Sequence, residues 1–199
     1  YPDKGPPRRA GRGLFAEALI QRFPNLPVEE EGRLCDPRLR ENWITRVFAY
    51  DALKQLWAER FSVGKLVQFH TRYKFVLLAH SQADYRELGP LVADAKNIPA
   101  AELKPRYEAQ FMSALSRIAT QRKNVNVLQH ILGFFKRDLD AASRKELLTH
   151  IEDYGRGLVP LIVPLTLIQH YVRLLDVEYL KDQVYLNPHP KELALRNHV

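Results

Sequence analysis

Residues 155–173 read GRGLVPLIVPLTLIQHYVR, and residues 122–139 read RKNVNVLQHILGFFKRDL. The first is an apolar run carrying Pro160 and Pro164 that ends in Gln169, His170, Tyr171 and Arg173, so a stretch with the composition of a core delivers polar groups at its far end. Val163, Leu167, His170 and Leu174 recur at helical spacing, which predicts a buried helix with a polar tip and places His170 half inside it. In the second stretch Val125, Leu128, Leu132 and Phe135 share one face. Lys123, Asn126, His130 and Arg137 share another, at steps of three, four and seven. Gly133 lies beside that polar face, costs ~1 kcal/mol against Ala inside a helix, and leaves a gap where a ligand or a second helix can approach. Amides, an imidazole and cations in one stripe suit phosphate positioning without base reading. A solvated face with one packing glycine explains the same pattern.

The segments on either side carry the same periodicity. Asp36 followed by Pro37 marks a helix start, and Leu39, Trp43, Val47, Tyr50, Leu53 and Leu56 then recur at three and four residues to about Arg60. Ser62 caps a helix over 63–81 with the stripe Leu66, Phe69, Tyr73, Val76 and Leu77. Its other side holds Lys65, Gln68, Arg72, His70 and Lys74, with His80 at the end, either an anion site or a solvated face with a capping histidine. Gly89–Pro90 and Asn97–Pro99 divide the next segment, and a helix from about Ala101 to Thr120 tolerates Pro105 in its first turn. Asp140 caps another helix, which Gly155 and Gly157 terminate. Upstream, 13–23 places Leu14, Phe15, Ala18, Leu19 and Phe23 at helical spacing, and Glu29–Glu31 form a solvated or salt-bridged acidic run. Residues 1–13, rich in Pro, Gly and Arg, read as a loop. The fold class is all-α: a multi-helix bundle of about seven to nine helices with a short non-bundle N-terminal segment.

The 30 Lys and Arg outnumber 23 Asp and Glu, a formal charge of +7, which favours polyanionic partners. The single cysteine, Cys35, excludes an internal disulfide and any metal site built from several thiolates of this chain. The longest apolar run, 158–168, is too short and too proline-broken to span a bilayer, and no signal sequence opens the chain, so no membrane partner is expected and the expected address is the cytoplasm. No phosphate-binding glycine loop, nucleophile elbow or metalloprotease helix motif is present. The residues by themselves support a basic all-helical domain with polar helix faces.

Four blocks, FHTRYKFVLLAHSQADYRELG (69–89), NVLQHILGFFK (126–136), GLVPLIVPLTLIQHYV (157–172) and YLKDQVYLNPHPKELALRN (179–197), resemble in order the YbgA-type domain, a helical family catalogued as a domain of unknown function. Residues 11–42 resemble the C-terminal end of the thiouracil desulfurase family, whose members are often fused to this helical domain. The resemblance divides the chain into 1–46, a desulfurase-like remnant and connector, and 47–199, the helical domain. In the desulfurase family a four-iron, four-sulfur cluster is held by three cysteines upstream of the matched stretch. The cluster is therefore expected in a missing N-terminal domain, and no cofactor or metal is expected in this chain.

The resemblance implies that the parent protein is a desulfidase acting on 4-thiouridine in tRNA, with this chain positioning the RNA and contributing no catalytic residue. The candidate phosphate contacts are Lys65, Arg72, Lys74, Arg122, Lys123, His130, Lys136 and Arg137, with Asn126 and Gln129 as orienting groups. His70, His80, His170 and Arg173 are candidate cleft residues. A second reading makes the chain a ligand-binding or enzymatic domain using His70, Lys74, His130 and His170, which requires those side chains to converge. A third makes it a scaffold that docks the N-terminal desulfurase domain and exposes an apolar patch.

Overall fold

Side-chain caps set the helix starts. Asp36 Oδ1 accepts from the backbone N–H of Arg38 at 2.8 Å and of Leu39 at 3.3 Å. Ser62 Oγ accepts from Lys65 N–H at 3.2 Å, and Asp140 Oδ1 from Ser143 N–H at 2.7 Å. Each satisfies a backbone donor that the first helical turn leaves unpaired. The computed structural model describes residues 13–199, so the basic N-terminal segment expected to be a loop lies outside the described residues up to residue 12. In order the helices are α1 (Leu14–Arg22), α2 (Pro37–Ala58), α3 (Val63–Arg72), α4 (Lys74–His80), α5 (Gln82–Ala93), α6 (Ala100–Ser116), α7 (Gln121–Leu132), α8 (Ala141–Gly155), α9 (Ile162–Leu174) and α10 (Glu178–Lys181). Short 3₁₀ turns lie between α1 and α2, after α7 and in the segment after α10, and among the described residues there is no strand.

The hub is α4, which packs against α3, α5, α6, α7 and the 3₁₀ turn Val184–Leu186. It exists because the helix predicted over 63–81 breaks at Tyr73, whose backbone sits at φ −90° and ψ 1°. The Tyr73 ring stacks on Phe69 at 4.5 Å and meets the edge of Phe111 at 5.2 Å. Packing of this aromatic group redirects the chain, and Phe75, Val76, Leu77 and Ala79 enter the core.

Two proline positions differ from the sequence-based expectation. α5 runs through Gly89 and Pro90 without dividing, because Leu88, Leu91 and Val92 on the same helix are buried and offset the hydrogen bond that Pro90 cannot make. Pro105 lies in the second turn of α6, which ends at Ser116. α2 crosses residue 46 unbroken, with Glu41, Asn42, Thr45, Ala49 and Leu53 buried. It is tied to α6 by Lys54 Nζ and Trp57 Nε1, which donate to Glu108 at 2.8 Å and 3.0 Å.

The apolar run at 158–168 enters the core, but rotated from its expected face. Leu165, Ile168, Gln169, Tyr171 and Val172 are buried, whereas His170 and Leu174 are exposed. His170 is therefore a surface residue rather than a half-buried one. A segment apolar on nearly every side carries little periodic signal for its own rotation, and contacts with α7 and α8 decide it. α1 forms as predicted, yet none of its residues is buried, and Leu14 and Phe15 are 88% and 82% exposed.

Candidate functional site

α7 carries the polar stripe predicted for it. Arg122, Asn126, Gln129 and His130 are exposed along one side, and Lys136 and Arg137 extend the basic surface just past the 3₁₀ turn Gly133–Phe135. Lys123 departs from this set. Its Nζ donates to the His80 backbone carbonyl at 2.6 Å and to the Ile118 carbonyl at 3.5 Å. It satisfies carbonyls at the end of α4 and beyond α6 and is not free to meet a phosphate.

Where α7 ends against α4 and α5, a groove of about 200 Å³ opens, lined by Lys74, Phe75, Gln82, Tyr85, Arg86, His130 and Phe134, and no Asp or Glu among the described residues lines it. Lys74 starts α4 because of the break at Tyr73, and Ser81 caps α5 by accepting from Asp84 N–H at 3.3 Å, which sets Gln82 and Arg86 on the opposite wall. Phe134, 39% exposed, stacks on the half-open ring of Tyr179 at 5.1 Å and 6° and meets Phe75 edge-on at 6.2 Å. The Lys74 ammonium lies 5.3 Å from the Phe75 ring centre and 5.8 Å from that of Tyr179. The partly exposed ring of Phe134 beside Lys74 and Arg86, which pair with no carboxylate among the described residues, suits a surface that stacks a base and tracks a phosphate backbone. The periodicity of the sequence points to Lys74 and His130 but misses Gln82, Arg86, Phe134 and Tyr179, because no spacing within one helix links α5, α7 and α10.

The other candidates lie elsewhere. Lys65 and Arg72 line a separate groove against α2, where Lys65 Nζ is paired with Glu59 at 2.5 Å. His70, placed on the polar side by periodicity, is buried. Its ring stacks on the inner side of Tyr85 at 5.5 Å, and its Nδ1 lies 3.1 Å from the Tyr107 hydroxyl. Burial pulls its pKa down to about 4, so it is neutral at physiological pH.

His80 is also buried rather than at a cleft surface, and burial lowers its pKa. Its Nδ1 lies 2.6 Å from the Arg117 carbonyl, which requires the proton on Nδ1. The Asn42 amide, 3.3 Å from the same nitrogen, then donates to the Leu115 carbonyl at 3.0 Å instead. His70, Lys74, His130 and His170 thus do not share one site: Lys74 and His130 meet in the groove, His70 is packed inside, and His170 is exposed on α9.

Arg173 lines a different cleft, between α9 and the C-terminal segment 186–197. Behind that cleft Arg196 Nε donates to Glu41 Oε1 at 3.2 Å, and Arg196 donates again to the Tyr185 carbonyl at 2.6 Å. Burial acts to raise the Glu41 pKa, but His189, Arg196 and His80 together outweigh it and hold the carboxyl at about 2. A second buried relay runs from the Tyr185 hydroxyl to Asn124 Oδ1 at 3.0 Å and from Asn124 Nδ2 to the Tyr154 hydroxyl at 3.1 Å.

Cys35 is exposed and the chain has no other cysteine, so its own residues do not fit an iron–sulfur cluster. Among the described residues no group of three or more His, Cys, Asp or Glu is placed to hold a metal ion, and no helix is long and apolar enough to cross a membrane. Glu29 pairs with Arg33 at 2.9 Å.

A family model described as "Protein of unknown function (DUF1722)" matches residues 74–190, which include every residue lining the groove and the start of the C-terminal cleft segment. The curated "Uncharacterized protein YbgA" of Escherichia coli (strain K12) is 36% identical over 163 residues, spanning 80% of this chain and 95% of that protein. No solved structure matches.

Proposed function

We propose that this chain, which belongs to the DUF1722 family, positions RNA for an iron–sulfur-dependent desulfidase acting on 4-thiouridine in tRNA. Catalysis and the cluster are assigned to a desulfurase domain outside this chain. The observation that carries the reading is the groove in which Lys74, Arg86 and His130 flank the partly exposed ring of Phe134 with no carboxylate of the described residues among them. Cations hold the phosphates, and an aromatic face accepts a base unstacked from a loop or a strand end, as single-stranded RNA recognition requires. Arg122, Asn126 and Gln129 continue the contact along α7, and Lys136 and Arg137 beyond its end. The charge of +7 acts in the same direction by steering polyanions toward the surface.

The exposed apolar residues of α1, Leu14 and Phe15, favour an added role in docking the desulfurase domain. The deciding measurement is tRNA affinity across a salt series for the wild type and for a Lys74→Ala, Arg86→Ala, Phe134→Ala variant. Affinity is expected to fall steeply with salt in the wild type, and both affinity and slope to drop in the variant. No binding at low salt, or a variant that binds as the wild type does, sinks the proposal.

A further inference from the structure

The cleft between α9 and residues 186–197 is distinct from the groove. It encloses about 350 Å³, within the range of small-ligand sites. One wall is apolar, formed by Ile162, Leu165 and Leu195, and among the described residues no Asp or Glu lines any side. Arg173, Lys191 and Arg196 reach it; Arg196 is neutralised by Glu41, and among the described residues no carboxylate pairs with Arg173 or Lys191. Two unit charges match a dianionic phosphate monoester better than a singly charged carboxylate.

Neutral donors add to this. Gln169 Nε2 donates to Asn187 Oδ1 at 3.0 Å and to the Leu186 carbonyl at 2.7 Å. Asn187 is thus held by its carbonyl end, and its amide donors remain unspent. His189 also lines the cleft. Its side chain is 5% exposed, and its Nε2 faces the Glu41 carboxylate at 3.7 Å, beyond hydrogen-bond distance, with no hydrogen-bond partner among the described residues.

The cleft wall is held in an unusual backbone state. Ala194 sits in the left-handed region at φ 49° between two 3₁₀ turns, a conformation costing an alanine about 1–2 kcal/mol. The buried bonds of Arg196 to Glu41 and Tyr185 hold the segment in that shape. A donor-lined cleft preformed in this way loses little freedom when it binds an anion.

We infer that this cleft is a binding site for a phosphate monoester carried on a nucleoside-sized body, with Arg173 and Lys191 meeting the phosphate and the Ile162, Leu165 and Leu195 wall meeting the body. The group has two sources, a free mononucleotide or the 5′-phosphorylated end of an RNA strand. The inference stands apart from the RNA groove, because the two sites share no lining residue.

The test is calorimetric titration of the full chain with uridine, uridine 5′-monophosphate, and one short oligoribonucleotide carrying either a 5′-phosphate or a 5′-hydroxyl. The monophosphate is expected to bind and uridine to bind at least about tenfold more weakly. Arg173→Ala with Lys191→Ala is expected to remove that difference, and circular dichroism reports whether the variant is folded. Arg173→Lys with Lys191→Arg keeps both charges and is expected to retain the preference. If the oligonucleotide pair shows the same phosphate preference, lost in the same variant, the source is a strand end; if the monophosphate alone does, it is a free nucleotide.

Equal binding of uridine and its monophosphate, no binding of either, or a phosphate preference that survives in the folded double variant overturns the inference. The Lys74, Arg86, Phe134 variant is expected to keep the monophosphate preference while losing tRNA affinity, so failure of one site is read separately from failure of the other.

Discussion

Arg196 Nε donates to Glu41 Oε1 at 3.2 Å across a separation of 155 residues, which fastens the C-terminal segment to α2. Both side chains are buried, and the guanidinium also donates to the Tyr185 carbonyl. Removing one partner leaves the other charge inside without compensation, so Arg196→Met is expected to destabilise the fold by about 3–5 kcal/mol. The double variant Arg196→Met, Glu41→Leu should recover part of that loss, because no unpaired charge remains. Urea denaturation measures both. A single variant within about 0.5 kcal/mol of wild type would show that the pair does not hold the segment.

Acid stability should fall in two stages. His70 is held at about 4 in the folded chain against 6.5 as its ordinary value. The unfolded chain therefore binds the extra proton, and stability drops as pH falls from 6.5 toward 4, by up to about 3 kcal/mol. Buried His80, also lowered, acts in the same direction. Glu41, held at about 2 against 4.5, supplies stability that is present above pH 4.5 and lost as pH falls toward 2. His70→Gln is expected to shrink the upper stage to the part His80 contributes and leave the lower one. Chemical denaturation at a series of pH values checks this, and an unchanged upper stage would refute it.

Lys123 and Arg137 should separate cleanly. Lys123 satisfies the His80 carbonyl, so Lys123→Met is expected to cost about 1 kcal/mol of stability and to leave the salt dependence of RNA binding unchanged. Arg137 is exposed, so Arg137→Ala should leave the melting temperature in place and reduce the salt slope by roughly one phosphate contact. Thermal melts and a binding series at several salt concentrations distinguish the two. The reverse pattern would return Lys123 to the interface.

Two glycines should respond to alanine with opposite signs. Gly157 has φ +76° and closes α8, with its N–H on the Tyr154 carbonyl at 2.9 Å and the Leu158 N–H on the Asp153 carbonyl at 2.9 Å. Gly157→Ala is expected to cost about 1–2 kcal/mol. Gly133 has ordinary helical angles, and a Cβ there meets nothing within 4 Å. Gly133→Ala is expected to stabilise by about 0.4–1 kcal/mol through the unfolded chain, measured by thermal or urea unfolding. If Gly133→Ala also weakens tRNA binding, the open space beside His130 is occupied in the complex.

Local signals determined the helices. A capping Asp or Ser next to a periodic apolar stripe is complete within a few residues, so the starts at Asp36, Ser62 and Asp140 and the buried stripe of Leu66, Phe69, Tyr73, Val76 and Leu77 were legible in the sequence by itself. The stripe on α7 was too, apart from Lys123. Tertiary structure alone decided where partners come from elsewhere in the chain. His70 lies inside because Tyr85 and Tyr107 enclose it, Lys123 is occupied because the end of α4 lies beside it, and α9 is turned so that His170 faces outward. The groove joins residues of α4, α5 and α7, and the cleft joins α9 to the last turns. Periodicity reports which residues share a face of one helix. It carries no term for which helix that face will meet, and the run at 155–173, apolar almost all round, determined its own burial but not its orientation.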